Sequence, residues 1–93
     1  MSLSAAQLEG ATEATYALLD ALGLSAYRFA IEPRETAWAL KLECAVAEGW
    51  EAVTLPVDID LLLASRTDAE ARAQIATAWA AALTACRRES GSD

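Results

Sequence analysis

Few side chains in this sequence have the type and spacing to do chemistry. Cys44 and Cys86 are the only cysteines. They show neither the C-x-x-C spacing of a redox or zinc site nor the density of a secreted disulfide scaffold, so two buried free thiols are expected. A disulfide would need their Cα atoms within about 7 Å, which the element order neither requires nor excludes. Arg87 and Arg88 stand beside Cys86, where their charge would favour a thiolate, but the place of Cys86 on an apolar helical stripe argues for packing. Histidine is absent, which removes the commonest general base and metal ligand together with every Ser-His-Asp or Cys-His arrangement. No glycine-rich loop of the G-x-G-x-x-G or G-x-x-x-x-G-K-[ST] type is present to cradle phosphates. The sequence therefore argues against an enzyme, and no catalytic residue, cofactor or metal ligand is assigned.

Charged side chains offer two further candidates. Glu48, Glu51, Asp58 and Asp60 gather at turns and strand ends, where carboxylates can bind a hard cation or share acid–base work. Their spacing matches no calcium loop, and Asp58 is accounted for as a helix cap and Glu48 as a turn residue. Arg28 and Lys41 are expected opposite one another on neighbouring strands, with Glu43 diagonal to Arg28. They make either an anion site or a solvated ion-pair cluster, and the cluster is the simpler reading.

These residues are positioned by a clear succession of elements. Ser4-Ala5-Ala6-Gln7 fits a capping box, with Leu3 and Leu8 as a hydrophobic staple. Leu8, Ala11, Thr15, Leu18, Leu19 and Leu22 then recur at helical steps, and Gly23 can end the helix in the left-handed region with Leu24 folding back, which predicts a helix over 5–22. Tyr27 to Glu32, Trp38 to Cys44 and Val53 to Val57 alternate large apolar with small or polar residues, the mark of strands with one buried face. Asp58 can cap a short helix, and Thr67-Asp68-Ala69-Glu70 reads as a second capping box before a long helix with Ile75, Trp79, Ala82, Leu83 and Cys86 on its apolar stripe.

Two-residue turns set the strand registers. A turn at Glu48-Gly49 pairs Cys44 with Val53, Leu42 with Leu55 and Leu40 with Val57, and a turn at Arg34-Glu35 pairs Ile31 with Trp38, Phe29 with Leu40 and Tyr27 with Leu42. Both choices direct the apolar side chains of these pairs to one face. Pro56 then falls on an edge strand, where its missing N–H is tolerated. The fold class expected is α+β in two layers, a three-stranded antiparallel meander with helices packed on one face, in the order α-β-β-β-α-α. Residues 1–88 form one domain and 89–93 a frayed tail. The order helix, three strands, helix is similar to that of double-stranded RNA-binding domains, without the lysine cluster those use on RNA. Its opening is also similar to the small acidic dimeric chaperones of bacterial secretion systems, which continue with further strands.

Composition narrows the partners. The 93 residues carry seven Lys+Arg against fourteen Asp+Glu, a formal net charge of −7, whose field repels phosphate backbones and anionic lipid. Neither nucleic acid nor a membrane is expected as a partner. There is no spanning stretch and no signal-like N-terminus, and a cytoplasmic location is expected. The second face of the sheet would carry Ala30, Ala37, Ala39, Ala45 and Ala52 with Trp50 near one end, and Arg28, Lys41, Glu43 and Thr54 toward its middle. Such a flat, weakly polar surface can accept another protein surface closely. The functional expectation is a small acidic protein-interaction module, homodimeric through this Ala/Trp face, with Trp50, Ala37, Ala39, Ala45, Ala52, Arg28 and Lys41 in the contact. The alternative is a small-ligand-binding or enzymatic domain with its site between helices and sheet.

Overall fold

Local capping chemistry sets where the first helix begins. In the computed structural model, which describes residues 4–24, 27–34, 37–46, 49–84 and 86, the Ser4 hydroxyl accepts from the Gln7 N–H while the Gln7 side chain accepts from the Ser4 N–H. Two otherwise unpaired donors are thereby satisfied. Helix α1 (Ala5–Ala21) follows. It stops at Gly23, whose φ of 87° is open only to glycine at little cost, and the Leu24 N–H donates to the Leu19 carbonyl as Leu24 turns into the core.

Three strands follow as a meander, β1 (Tyr27–Arg34), β2 (Ala37–Val46) and β3 (Gly49–Val57), all antiparallel and in sequential order. Helix α2 (Ile59–Ala64) is capped by the Asp58 carboxylate, which accepts from the Leu61 N–H. Helix α3 (Ala69–Ala82) is capped by Asp68, which accepts from the N–H groups of Glu70 and Ala71. The expected cap was Thr67. Asp68 takes the role because a carboxylate one residue further on reaches both free N–H groups and also meets the positive end of the helix dipole.

Leu18 and Leu19 of α1, Leu40, Leu42 and Cys44 of β2, Leu55 of β3, Ile59 and Leu62 of α2, and Ile75 and Trp79 of α3 share one buried cluster. The strand members of that cluster all lie on one side of the pleat, so the helices cover one face and leave the other open, as expected for a two-layer α+β fold. The apolar stripe of α3 is borne out at Ile75, Trp79, Leu83 and Cys86, whereas Ala82 is exposed. Leu8 is also more exposed than its place in the α1 pattern implies. Leu3, Arg87, Arg88 and the tail from 89 to 93 lie outside the described residues.

The strand registers differ from expectation by two residues in each hairpin. Tyr27 lies opposite Cys44, Phe29 opposite Leu42 and Ile31 opposite Leu40. Across the second pair, Leu42 faces Val53, Leu40 faces Leu55 and Trp38 faces Val57. The ladders close at Arg34 with Ala37 and at Val46 with Gly49, each displaced by one position from the closure expected. Moving a two-residue turn by one position shifts every pair by two, and a shift by two preserves the face of each side chain. Gly49, with φ of 128°, is the first residue of β3 and not a turn residue.

The two cysteines are not free thiols. Cys44 on β2 and Cys86 beyond the end of α3 form a disulfide with Cα atoms 5.8 Å apart. Spacing along the chain could not reveal this, because the partners meet only when the last helix crosses the sheet. A bond of sequence separation 42 removes enough freedom from the unfolded chain to stabilise the fold by about 4 kcal/mol in the chain-entropy treatment. Reduction by a dithiol is therefore expected to lower the unfolding free energy by about that amount, measured as a fall in the urea midpoint. A midpoint indifferent to reductant would show that the bond adds no stability.

Candidate functional site

The open face of the sheet is built by the side chains that alternate with the core. Outward from β1 stand Arg28, Ala30, Glu32 and Arg34; from β2, Ala37, Ala39, Lys41, Glu43 and Ala45; from β3, Trp50, Ala52, Thr54 and Pro56. All the residues expected on this face are on it. They are not equally available. Ala30, Ala37 and Ala52 are exposed and Ala45 is half-buried, but Ala39, which lies opposite Glu32 on one side and Pro56 on the other, is only 5% exposed. It can add little contact area.

Trp50 is the dominant feature of this face. It is 56% exposed and sits opposite Ala45, whose small side chain leaves the indole unshielded. The Arg28 guanidinium lies with Cζ 5.0 Å from the centre of the Trp50 ring. The same guanidinium donates from Nε to Glu43 Oε1 at 2.8 Å. An exposed ion pair and an exposed cation–π contact are each worth at most about 1 kcal/mol. Their joint effect is to fix the indole and the guanidinium in one orientation.

The register shift changes the expected cation pair. Arg28 lies opposite Glu43, while Lys41 lies between Ala30 and Thr54. Opposite charges thus face each other where like charges were expected, which is the favourable cross-strand arrangement. A shallow depression of about 230 Å³ is lined by Arg28, Ala30, Glu32, Lys41 and Glu43 with the backbone side of Phe29. Two cations and two carboxylates balance there, so nothing in it selects an anion. Of the acidic residues at the turns, Glu48 lies outside the described residues; no group of metal-ligating side chains occurs among the described ones, and Asp58 serves as the cap of α2.

Two features escaped the sequence reading. One is a cleft of about 330 Å³ between α1 and the connection from α2 to α3, lined by Glu13, Ala14, Ala17, Leu18, Ser65, Arg66 and Arg72. Arg66 pairs with Glu13 at 3.1 Å and Arg72 donates from Nε to the Ser65 carbonyl. Gly10 allows this approach, since a Cβ there would meet the Arg66 guanidinium at 3.0 Å and Leu63 at 3.1 Å. A buried glycine in mid-helix was the available signal. The other is an aromatic cluster at the border of α1 and β1. Tyr16 meets Phe29 edge-on at 4.8 Å between ring centres, and Tyr27 lies 6.3 Å from Tyr16. These residues are too far apart in sequence to announce the contact. The expected place for a ligand, between helices and sheet, holds a smaller recess of about 170 Å³ bordered by Pro56, Val57, Leu61, Ile75 and Trp79.

No protein-family model, curated protein or solved structure matches the chain. No helix among the described residues is long and apolar enough to cross a membrane.

The aromatic cluster also carries the one clear shift in proton affinity among the described residues. Partial burial, followed by the neighbouring Tyr16 and Asp20, raises the Tyr27 pKa above the ordinary tyrosine value of 10.0. A raised acid pKa means that the folded state favours the neutral phenol. This contribution is fully present below the unfolded value of 10.0 and is lost as pH rises through the folded pKa. Stability measured by denaturant titration is expected to decline as pH rises from the unfolded value of 10.0 through the folded pKa, and Tyr27→Phe is expected to lessen the decline. An identical alkaline profile for both proteins would contradict the assignment.

Proposed function

We propose that the chain is a small acidic protein-interaction module that associates with a second copy of itself through the open face of its sheet, with Trp50 and Arg28 at the centre of the contact. The observation that carries this reading is the exposed indole of Trp50, held in a defined orientation by Arg28 and standing over small residues on a face without helices. Tryptophan and arginine are the residues most enriched where binding energy concentrates, because they bury large area with little loss of conformational freedom when already oriented. Ala30, Ala37, Ala45 and Ala52 leave the backbone close to the surface, so an opposing sheet can approach without steric obstruction. Lys41, which makes no ion pair among the described residues, provides a charge for a carboxylate of the opposing face. Two copies that each carry a net charge of −7 repel at long range, so the association is expected to strengthen as salt screens that repulsion.

The alternative of a ligand site between helices and sheet has less support. The recess there is small and mainly apolar; Asp58 and Gln74 also line it, but the Asp58 carboxylate is engaged in capping α2.

Sedimentation of the wild type and of Trp50→Glu tests the proposal. The substitution lies at an exposed position and is expected to leave the circular dichroism spectrum unchanged while weakening self-association at least tenfold. Identical assembly by both proteins would rule out the open face as the contact.

A further inference from the structure

The sheet ends in two unequal edges, β1 and β3. An edge strand presents unpaired N–H and C=O groups that can template pairing with another chain, and folded proteins blunt such edges with proline or with charges directed toward the core. β3 carries both devices: Pro56 has no N–H to give, and Glu51 stands opposite Cys44 on the side of the sheet that carries the core. On β1 the core side carries Tyr27, Phe29 and Ile31, without a charge, and its single proline, Pro33, lies next to the closed end of the hairpin. β1 also has two arginines and one glutamate, a local charge of +1 in a chain of −7. It is the strand on which a second acidic copy meets least repulsion.

From this asymmetry we infer that β1 is a self-pairing edge, at which a second copy of the chain binds antiparallel about a twofold axis at Ala30. In that register Arg28 faces the partner's Glu32 on the open side of the sheet, and Phe29 faces the partner's Ile31 on the helix side. Tyr27 faces the partner's Pro33, and Ala30 meets the partner's Ala30 on the axis, where bulk would obstruct. Every pair is matched, apolar with apolar and positive with negative, and the twofold makes each match twice. Arg28 gives its Nε to Glu43 and lies on the Trp50 ring, so pairing with the partner's Glu32 requires the guanidinium to swing back toward the β1 edge, where its remaining N–H groups can donate. Among the described residues Glu32 is held within its own chain by a 3.6 Å contact with Arg34.

Other registers fail. A slip of one residue sets Phe29 against the partner's Glu32, and a slip of two toward the hairpin sets Arg28 against the partner's Arg34. A slip of two the other way sets Phe29 against the partner's Phe29 without a clash but leaves Arg28 against the partner's Ala30, forfeiting both Arg28–Glu32 pairs. The helix side of this edge supplies a second argument. Tyr16 is 55% exposed although it packs on Phe29, so an incomplete aromatic cluster borders the strand at the place where the partner's Ile31 would arrive. The pairing joins two three-stranded sheets into one of six, with all helices on the same face and the two Trp50 faces continuous.

This contact is separate from the open-face association, and the test removes the latter first. In a Trp50→Glu background, sedimentation at high micromolar concentration is expected to show a two-chain species. Adding Glu32→Arg sets two arginines against each other at both ends of the pairing and is expected to give single chains, and adding Arg28→Glu is expected to do the same with glutamates. Mixing the two single-chain proteins restores both opposite-charge pairs and is expected to restore the two-chain species. Ala30→Arg, at an exposed position on the axis, is expected to dissociate it as well and supplies the test should Arg28→Glu fail to fold. A monomeric Trp50→Glu protein, a two-chain species that survives Glu32→Arg, or a mixture that stays monomeric would each overturn the edge pairing, whatever the fate of the open face.

Discussion

The alternation of side chains along three strands is the constraint on which this fold depends. Apart from Trp50, the large apolar residues of the meander from Tyr27 to Val57 whose burial is described are committed by position to one side of the pleat. The helices are apolar along one stripe each, and only that side offers them a place to bury it. The consequence for the opposite side is equally strict. It receives the residues left over by the pattern, and these happen to be small or charged with one tryptophan among them. The open face is thus a product of the same parity that builds the core.

That dependence explains what could be read from the residues and what could not. Caps were legible because they are decided within four residues: Ser4 with Gln7, and Asp58 with Leu61. The face assignment was legible because period two leaves no choice once the large residues are located. Register was not, since a turn moved by one residue yields pairs that look just as apolar, and the glycine at 49 suggested a turn where the chain places the start of a strand. The two-residue error left the core unaltered yet changed the candidate site. It separated Arg28 from Lys41 and set it directly opposite Glu43, so the ion-pair cluster expected there forms with Glu43 facing Arg28 and not diagonal to it, and the same guanidinium lies on Trp50.

The disulfide was illegible for a related reason. Cys44 and Cys86 are each recognisable as core positions, and both are completely buried, but their adjacency requires the last helix to cross the sheet at one particular place. Free thiols were the expectation because a reducing compartment had been assumed, and no residue in the chain supplies that assumption. The bond also compensates for what the helices lack. Ala11 and Ala14 of α1 and Ala71 of α3 face inward, and such small side chains bury little apolar area each. A covalent link between the sheet and the end of the last helix holds the layers together where side-chain area is short.

Asymmetry between the two edges is where stability and association meet. A three-stranded sheet has a central strand with both sides paired and two outer strands with one side unpaired, so edge chemistry governs a large share of its surface. On β3 the inward Glu51 and the proline at 56 oppose any added strand. On β1 the core-side residues run apolar to the boundary, and Tyr16 leans over that boundary from α1 without being covered. Exposing an aromatic ring there leaves hydrophobic area in water, a cost that the monomer bears and a neighbouring chain would remove.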